Sequence, residues 1–144
     1  MAVASRETCR DGLATLLTSG VTAAQAVYAY QVGDFAQLMP VVRVLSSGSA
    51  RPPMTQQGVR SVFYFEVQWF VLNVDPDASW TEANAEDKLD EVENQIMATI
   101  DSNDGKTAYW DALELADRSQ VTKGVVGGRT YLIESVIVAA HVFG

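Results

Sequence analysis

His141, the single histidine of this 144-residue chain, is the first residue to consider as a catalytic base. A Ser-His-Asp or Cys-His site needs a base that a third group holds beside a nucleophile. His141 instead lies one residue beyond an apolar strand-like run, and the sequence has no Gly-x-Ser-x-Gly turn to present a nucleophile. We therefore predict a structural histidine, no catalytic residues and no enzyme. An enzyme that uses His141 with nearby carboxylates is the alternative.

Cys9 is the only cysteine, which excludes an internal disulfide and a Cys-based zinc site. It lies one turn before Leu13 in a helical pattern that Leu16 and Leu17 continue. This pattern predicts a small buried apolar residue rather than a nucleophile.

One acidic segment matches the spacing of a calcium loop, whose ligand positions 1, 3, 5, 7 and 12 would be Asp75, Asp77, Ser79, Thr81 and Glu86. Trp80 occupies the position that needs glycine for a sharp turn, and a strand pattern precedes the segment. We therefore predict an acidic turn between a strand and a helix, with Ser79 as N-cap and Glu82 completing a capping box. No metal site and no cofactor are predicted.

Charge is distributed unevenly along the chain. There are 10 basic and 18 acidic residues, a net charge of −8 and a calculated pI near 4.4, which argues against general nucleic-acid binding. Thirteen of the acids, against two lysines, fall within residues 75–117. The segment is either a strongly negative functional surface or an ordinary solvated helix face.

The length and the apolar content of 48% predict one folded domain, residues 1–144. Charges at the start of the chain stand where a secretory signal needs an apolar run. The longest apolar stretch, residues 131–143, is too short to span a bilayer. We therefore expect a soluble, non-secreted chain without a membrane partner.

The pattern of apolar residues predicts an α+β fold, in which two main helices pack on one face of an antiparallel β-sheet with long strands. One helix is predicted from Ser5 to Ser19. A second is predicted from Trp80 to Ile100, with a buried stripe of Ala85, Leu89, Val92, Ile96 and Ile100. A short helical turn is predicted at Trp110–Leu115.

Four strand regions are predicted: Val27–Val32, Val41–Leu45, Val59–Asp75 and a C-terminal hairpin. Gly127-Gly128 suits a two-residue hairpin turn, which requires positive φ. That register places Gly124 opposite Tyr131, whose ring would cover the glycine, and Thr122 opposite Ile133.

The strand Val59–Asp75 would measure about 53 Å if straight, against a diameter of about 38 Å for a compact domain of this length. It must therefore bend, break at a bulge or project. If it projects, the polar segment 46–58 is a loop at the tip of a β-arm from Leu45 to Val59. We expect this arm to contact another subunit or a partner. The candidate interface residues are Arg51, Pro52, Pro53, Met54 and Arg60.

Alternating apolar side chains of the long strand form a stripe that includes Phe63, Phe65, Val67 and Trp69. We predict that this stripe is core; a ligand pocket lined by Phe63, Phe65 and Trp69 is the alternative. Basic residues on or beside the predicted strands are either a surface for an acidic partner or protection of strand edges. They are Arg43, Arg51, Arg60, Arg118, Lys123 and Arg129.

The whole order of elements resembles the tail-terminator (tail-completion) proteins of long-tailed bacteriophages. The resemblance lies in the short N-terminal helix, the strand VFYFEVQWFVLNV after a polar loop, the acidic helix EDKLDEVENQIMATI, the turn at Trp110 and the segment GGRTYLIESVIVAAHV. Neck and tail-tube proteins of the same particles are similar enough to remain alternatives, as does a small ligand-binding α+β module.

The resemblance implies a non-enzymatic virion protein that is assembled in the host cytoplasm. Such a subunit forms a hexameric ring on the head-proximal end of the tail tube, stops tube growth and joins tail to head. Its partners would be further copies of itself, the tail-tube protein and a head-completion or neck protein, while genomic DNA passes through the lumen without specific binding. An acidic lumen would repel phosphates. Its candidate residues are Glu82, Glu86, Asp87, Asp90, Glu91 and Glu93.

Overall fold

The computed structural model describes residues 5–33, 35, 39–51, 60–75, 79–116 and 118–143. Within these residues, two helices and six strands follow one another, and this confirms the predicted α+β class. They are α1 (Arg6–Gly20), β1 (Ala26–Tyr28), β2 (Val41–Ala50), β3 (Arg60–Leu72), α2 (Glu82–Ser102), β4 (Ala112–Leu115), β5 (Gln120–Val126) and β6 (Arg129–Phe143).

All six strands form one sheet in the order β1-β2-β3-β6-β4, with β5 also paired to β6. Only the short β1–β2 pair is parallel. Strand β3 pairs with β6 along the whole length of β3, from Arg60↔Phe143 to Leu72↔Tyr131. The other side of β6 is shared by β5 near the hairpin and by β4 near the C-terminus.

The helices cover the face of the sheet that the aromatic stripe of β3 forms. Phe65, Val67 and Trp69 are fully buried there, which confirms their prediction as core. The opposite face of β3 is only partly exposed to solvent, since Tyr64 and Gln68 are half-buried. All five residues of the α2 stripe are buried against this sheet, as their helical spacing predicts.

The two helix starts differ in how well the sequence predicted them. Ser5 caps α1, and its hydroxyl accepts a hydrogen bond from the Thr8 amide at 3.1 Å. The predicted Ser79 capping box of α2 is wrong: Thr81 is the N-cap and accepts from the Asn84 amide. Ser79 has φ of 54°, so it forms the turn before the cap instead.

Three further element predictions are corrected. Residues 46–50 are not loop but the end of β2, which pairs with β3 through a bulge between Ser46 and Gly48. The sequence predicts a helical turn at Trp110–Leu115, but residues 112–115 form strand β4, because β6 offers hydrogen-bonding groups at its free edge. The strand predicted over Val27–Val32 is the shorter β1. The predicted loop residues 52–58 lie outside the described residues.

The hairpin register is confirmed, with Gly124 opposite Tyr131, Thr122 opposite Ile133 and positive φ at Gly127 and Gly128. The predicted cover of Gly124 by the Tyr131 ring is wrong. The Ile133 side chain lies over the glycine instead. The Tyr131 ring packs against Phe35. This packing forms a second apolar cluster at that end of the sheet.

Helix α1 approaches the loop before β4 so closely that Gly12 has no room for a side chain. A methyl group at Gly12 would overlap the ring of Tyr109. We expect Gly12→Ala to lower the free energy of unfolding by about 1–3 kcal/mol through overpacking, although alanine has the better helix propensity by about 1 kcal/mol. Urea denaturation measures the change.

Gly105→Ala is the matched control, because nothing lies within 4 Å of a Cβ at that position. It should change stability by less than about 0.5 kcal/mol. A Gly12→Ala protein as stable as the wild type would show that the Tyr109 ring moves aside without cost.

Candidate functional site

His141 joins three strands through both nitrogens of its ring. The Arg60 guanidinium lies 2.9 Å from Nδ1, and Glu114 Oε1 lies 3.0 Å from Nε2. An arginine only donates, so Nδ1 accepts and Nε2 carries the proton that is donated to Glu114. The ring is 9% exposed and lies inside β6 rather than beyond a strand end.

This arrangement leaves His141 without a free nitrogen for general base chemistry. Among the described residues, no serine, threonine or cysteine side chain hydrogen-bonds to it. Burial raises the pKa of Cys9 to about 11, and its Sγ donates to the Tyr109 carbonyl oxygen at 3.2 Å. The geometry suits a structural role better than a catalytic centre. Arg60, His141 and Glu114 form a hydrogen-bonded link between β3, β6 and β4, called the clip below.

The clip could not be predicted from sequence, because its members come from three separate strands. Arg60 lies diagonally across from His141 only in the β3–β6 register, and Glu114 meets it only because residues 112–115 form a strand. Asp111 completes this end of the sheet by accepting from the Phe143 amide at 2.7 Å. The hydrogen bonds from Lys106 and from this amide lower the pKa of Asp111.

The calcium-like pattern forms an acidic turn in the part that the structure describes. Asp75 and Trp80 form a β-bridge, and Asp75 pairs with Arg129 at 3.1 Å. Thr81 is the helix cap and Glu86 lies in α2, while Asp77 is outside the described residues. Within the described part of the chain, no cluster of three or more histidine, cysteine, aspartate or glutamate residues has the geometry to hold a metal ion.

The predicted acidic surface lies on the outer side of α2. Glu82, Glu86, Asp87, Asp90 and Glu91 are exposed, while Glu93 is half-buried. Within this set, Glu91 pairs with Lys88 at 3.2 Å on the same helix. Neither helix of the described chain is long and apolar enough to cross a membrane.

Glu134 is a buried carboxylate beneath this helix, and the sequence analysis missed it. It is 7% exposed, and the Ser119 hydroxyl donates to its Oε2. Burial raises the pKa of Glu134; the Ser119 hydrogen bond opposes this rise, whereas the charges of Glu93 and Asp90 add to it. An acid inside an otherwise apolar strand was the available signal.

The basic residues divide into internally engaged and outward-facing side chains. Arg43 donates to Gln68 Oε1 and to the Val32 carbonyl, and burial lowers its pKa against the charge of Glu66. Arg51, Arg118 and Lys123 are exposed instead. The Arg51 guanidinium carbon lies 5.5 Å from the centre of the Phe63 ring.

The sheet has two edges, called margins below, at which strands of the described structure have no second neighbour. We call such a margin unfinished. Strand β1 pairs with β2 only at residues 41–43, so β2 has no second neighbour over residues 44–50. On the other side of the sheet, β4 and β5 each pair only with β6, and Val121 and Val125 of β5 are 52% and 70% exposed. Lys123 stands between them, a charge of the kind that protects strand edges. The predicted arm contacts Pro52, Pro53 and Met54 lie outside the described residues.

A groove of about 420 Å³ separates the C-terminal half of α2 from β4. Met97, Leu113 and Leu115 supply apolar walls, and Asp101 and Asp104 stand at its rim. Its walls do not include Phe63, Phe65 or Trp69, the residues of the alternative ligand pocket, which are buried in the core.

The chain was compared with protein-family models and with curated proteins. No family model matches it, and no curated protein matches it either. The functional conclusion must therefore come from the geometry of the surfaces together with the resemblance in element order.

Glu134 generates a pH-dependent prediction. A carboxyl group whose pKa is raised on folding stabilises the protein below its ordinary pKa, and this contribution is lost as pH rises through the raised value. Glu134→Gln copies the neutral form and still accepts from Ser119. We expect it to raise the melting temperature at pH 7 by about 2 °C, with the difference from wild type shrinking toward pH 4.5. Thermal melts across this range measure it.

Glu86→Gln is the control, because Glu86 is an exposed carboxylate on α2. Its effect on the melting temperature should be small and should not follow this pH trend. A Glu134→Gln protein that melts below the wild type at pH 7 would show that the folded state prefers the ionised carboxylate.

Proposed function

We propose that this chain is a structural virion subunit that forms a ring, hexameric by resemblance, at the head-proximal end of a phage tail tube. The observation that carries the proposal is the pair of different, unfinished margins on opposite sides of one sheet. The order of elements supplies the biological setting, which is the end of tube growth and the joint between tail and head.

The two margins lie at the same height along the strands. Ser46 of β2 is level with Phe65 of β3, which is level with Val138 of β6 and hence with Leu115 of β4. Three strand spacings of about 4.8 Å separate the margins. A subunit added at the β2 side therefore meets the β4 side of its neighbour without a shift along the strands.

Opposite margins of a sheet face in opposite directions, so a contact between them is head-to-tail. Head-to-tail contacts of this kind generate closed rings when the rotation between subunits closes, and open filaments when it does not. A terminator must close, because an open filament would prolong the tube. The proposal therefore requires closed assemblies with a central channel.

The acidic side of α2 supplies a candidate surface for the channel. Five exposed carboxylates in its first three turns would repel the phosphates of passing DNA and prevent specific binding. In this arrangement the two flat ends of the ring remain available for the tail-tube protein and for a head-completion or neck protein.

Oligomeric state is the direct test. Native mass determination and negative-stain microscopy of the purified protein should show closed rings, with six subunits expected, and added rings should stop the growth of purified tail tubes. A chain that stays monomeric both at high concentration and in the presence of tube ends would contradict the proposal. Saturable binding of an apolar probe, with a raised melting temperature, would favour the ligand-binding alternative.

The lumen assignment has a separate test. Rings of Glu86→Lys, Asp87→Lys protein should retain double-stranded DNA that wild-type rings release, because the reversed charges would face the phosphates. Raising the salt concentration should abolish the retention. Electrophoretic mobility of DNA mixed with preformed rings measures it. Variant rings that hold no more DNA than the wild type would place this side of α2 away from the channel.

A further inference from the structure

We propose that the groove between α2 and β4 receives a basic margin of the neighbouring subunit, made of Arg6, Arg10 and Arg51. This inference rests on the proposed ring and specifies its contact. It is a contact between side chains rather than the addition of one strand to another sheet.

The basic margin is built on the outer side of β2. Arg6 Nη1 lies 3.2 Å from Ser49 Oγ, and Arg10 Nη1 lies 3.0 Å from Ser46 Oγ, so the start of α1 lies along this strand. The bulge between Ser46 and Gly48 makes the strand a poor template for pairing. The margin therefore presents guanidinium groups to a partner. Glu7 and Asp11 lie on the adjacent stripe of α1.

The groove has the matching chemistry. Its walls are apolar, Leu115 is 39% exposed, and Asp101 and Asp104 at its rim are exposed. An arginine side chain suits such a site, since its apolar stem can cover leucine while its planar head pairs with a carboxylate.

The strand register places the two surfaces at the same height and on the same face of the sheet. Ser49, which binds Arg6, is level with Leu113 through β3 and β6, and Ser46, which binds Arg10, is level with Leu115. Each serine that an arginine of the basic margin contacts is therefore level with one leucine of the groove wall.

Both surfaces carry charge at the unfavourable end of a helix. Asp101 is in the last turn of α2, which has no basic residue, and Asp104 follows the C-cap. Arg6 is the first residue of α1. A helix end disfavours charge of its own sign, and none of the ion pairs among the described residues uses these three side chains. A neighbouring subunit would supply the missing opposite charges.

The test uses two charge-reversed proteins, each with the full chain. The groove variant is Asp101→Lys, Asp104→Lys, and the margin variant is Arg6→Glu, Arg51→Glu; half-buried Arg10 is left unchanged. In either protein, the groove and the margin carry the same sign. We expect each alone to need at least tenfold higher concentration than wild type to form rings in native mass spectra.

Mixing the two variants restores complementarity at every contact if the subunits alternate. An equimolar mixture should form rings at the wild-type concentration, with equal numbers of both proteins and an even total. The groove variant should melt at or above the wild-type temperature, because lysines suit the C-terminal end of a helix. Lost assembly therefore cannot be attributed to unfolding.

Glu7→Lys, Asp11→Lys is the control for net charge. It changes the charge by the same amount as the groove variant, but on the margin side, and its rings should persist. Asp101→Asn, Asp104→Asn should weaken assembly severalfold without reversing any charge.

The outcomes separate this inference from the proposed ring. Wild-type rings together with normal rings from either reversed variant alone would overturn the groove contact and leave the ring proposal intact. Two folded variants that each fail to assemble and also fail when mixed would overturn it as well. A wild-type chain that never assembles would overturn both proposals.

Discussion

The pairing of β3 with β6 is the constraint on which the rest of this structure depends. It is unbroken from Arg60↔Phe143 to Leu72↔Tyr131 and lies at the centre of the sheet. Side chains alternate between the two faces of a strand, so a slip of one residue would turn Phe65 and Trp69 away from the helices. The same register determines which residues of β2 and β4 lie level, and which residues His141 can reach.

Most features that depend on local patterns were predictable from the sequence, although the N-cap of α2 was not. The stripe of α2 and the Gly127-Gly128 hairpin each need only a few neighbouring residues, and both are confirmed. Features that depend on a distant partner were not. Residues 112–115 have no strong strand pattern and become β4 because β6 offers hydrogen-bonding groups there. The Ser- and Gly-rich residues 46–50 are strand because β3 pairs with them.

The features of the candidate site also divide into those that a local pattern predicts and those that depend on a distant partner. The sequence revealed the excess of acidic residues in α2 and the exposed position of Arg51, since composition and loop residues are local signals. It did not reveal that Arg6 lies along β2, that Asp101 borders a groove, or that both surfaces are at one height. These relations pass through two intervening strands, and no spacing along the chain encodes them.

The proposed ring requires a chain of net charge −8 to associate with itself, and the charge distribution allows this. Residues 75–117 carry a net charge of −11, which leaves +3 for the rest of the chain. Like net charges repel at long range, but salt screens charges beyond about 8 Å at physiological ionic strength. At contact distance, only the facing groups count. A contact of like margins would bring arginine to arginine, or aspartate to aspartate, whereas head-to-tail contact pairs opposite charges. The charge asymmetry therefore favours the same polarity of association as the two different margins of the sheet.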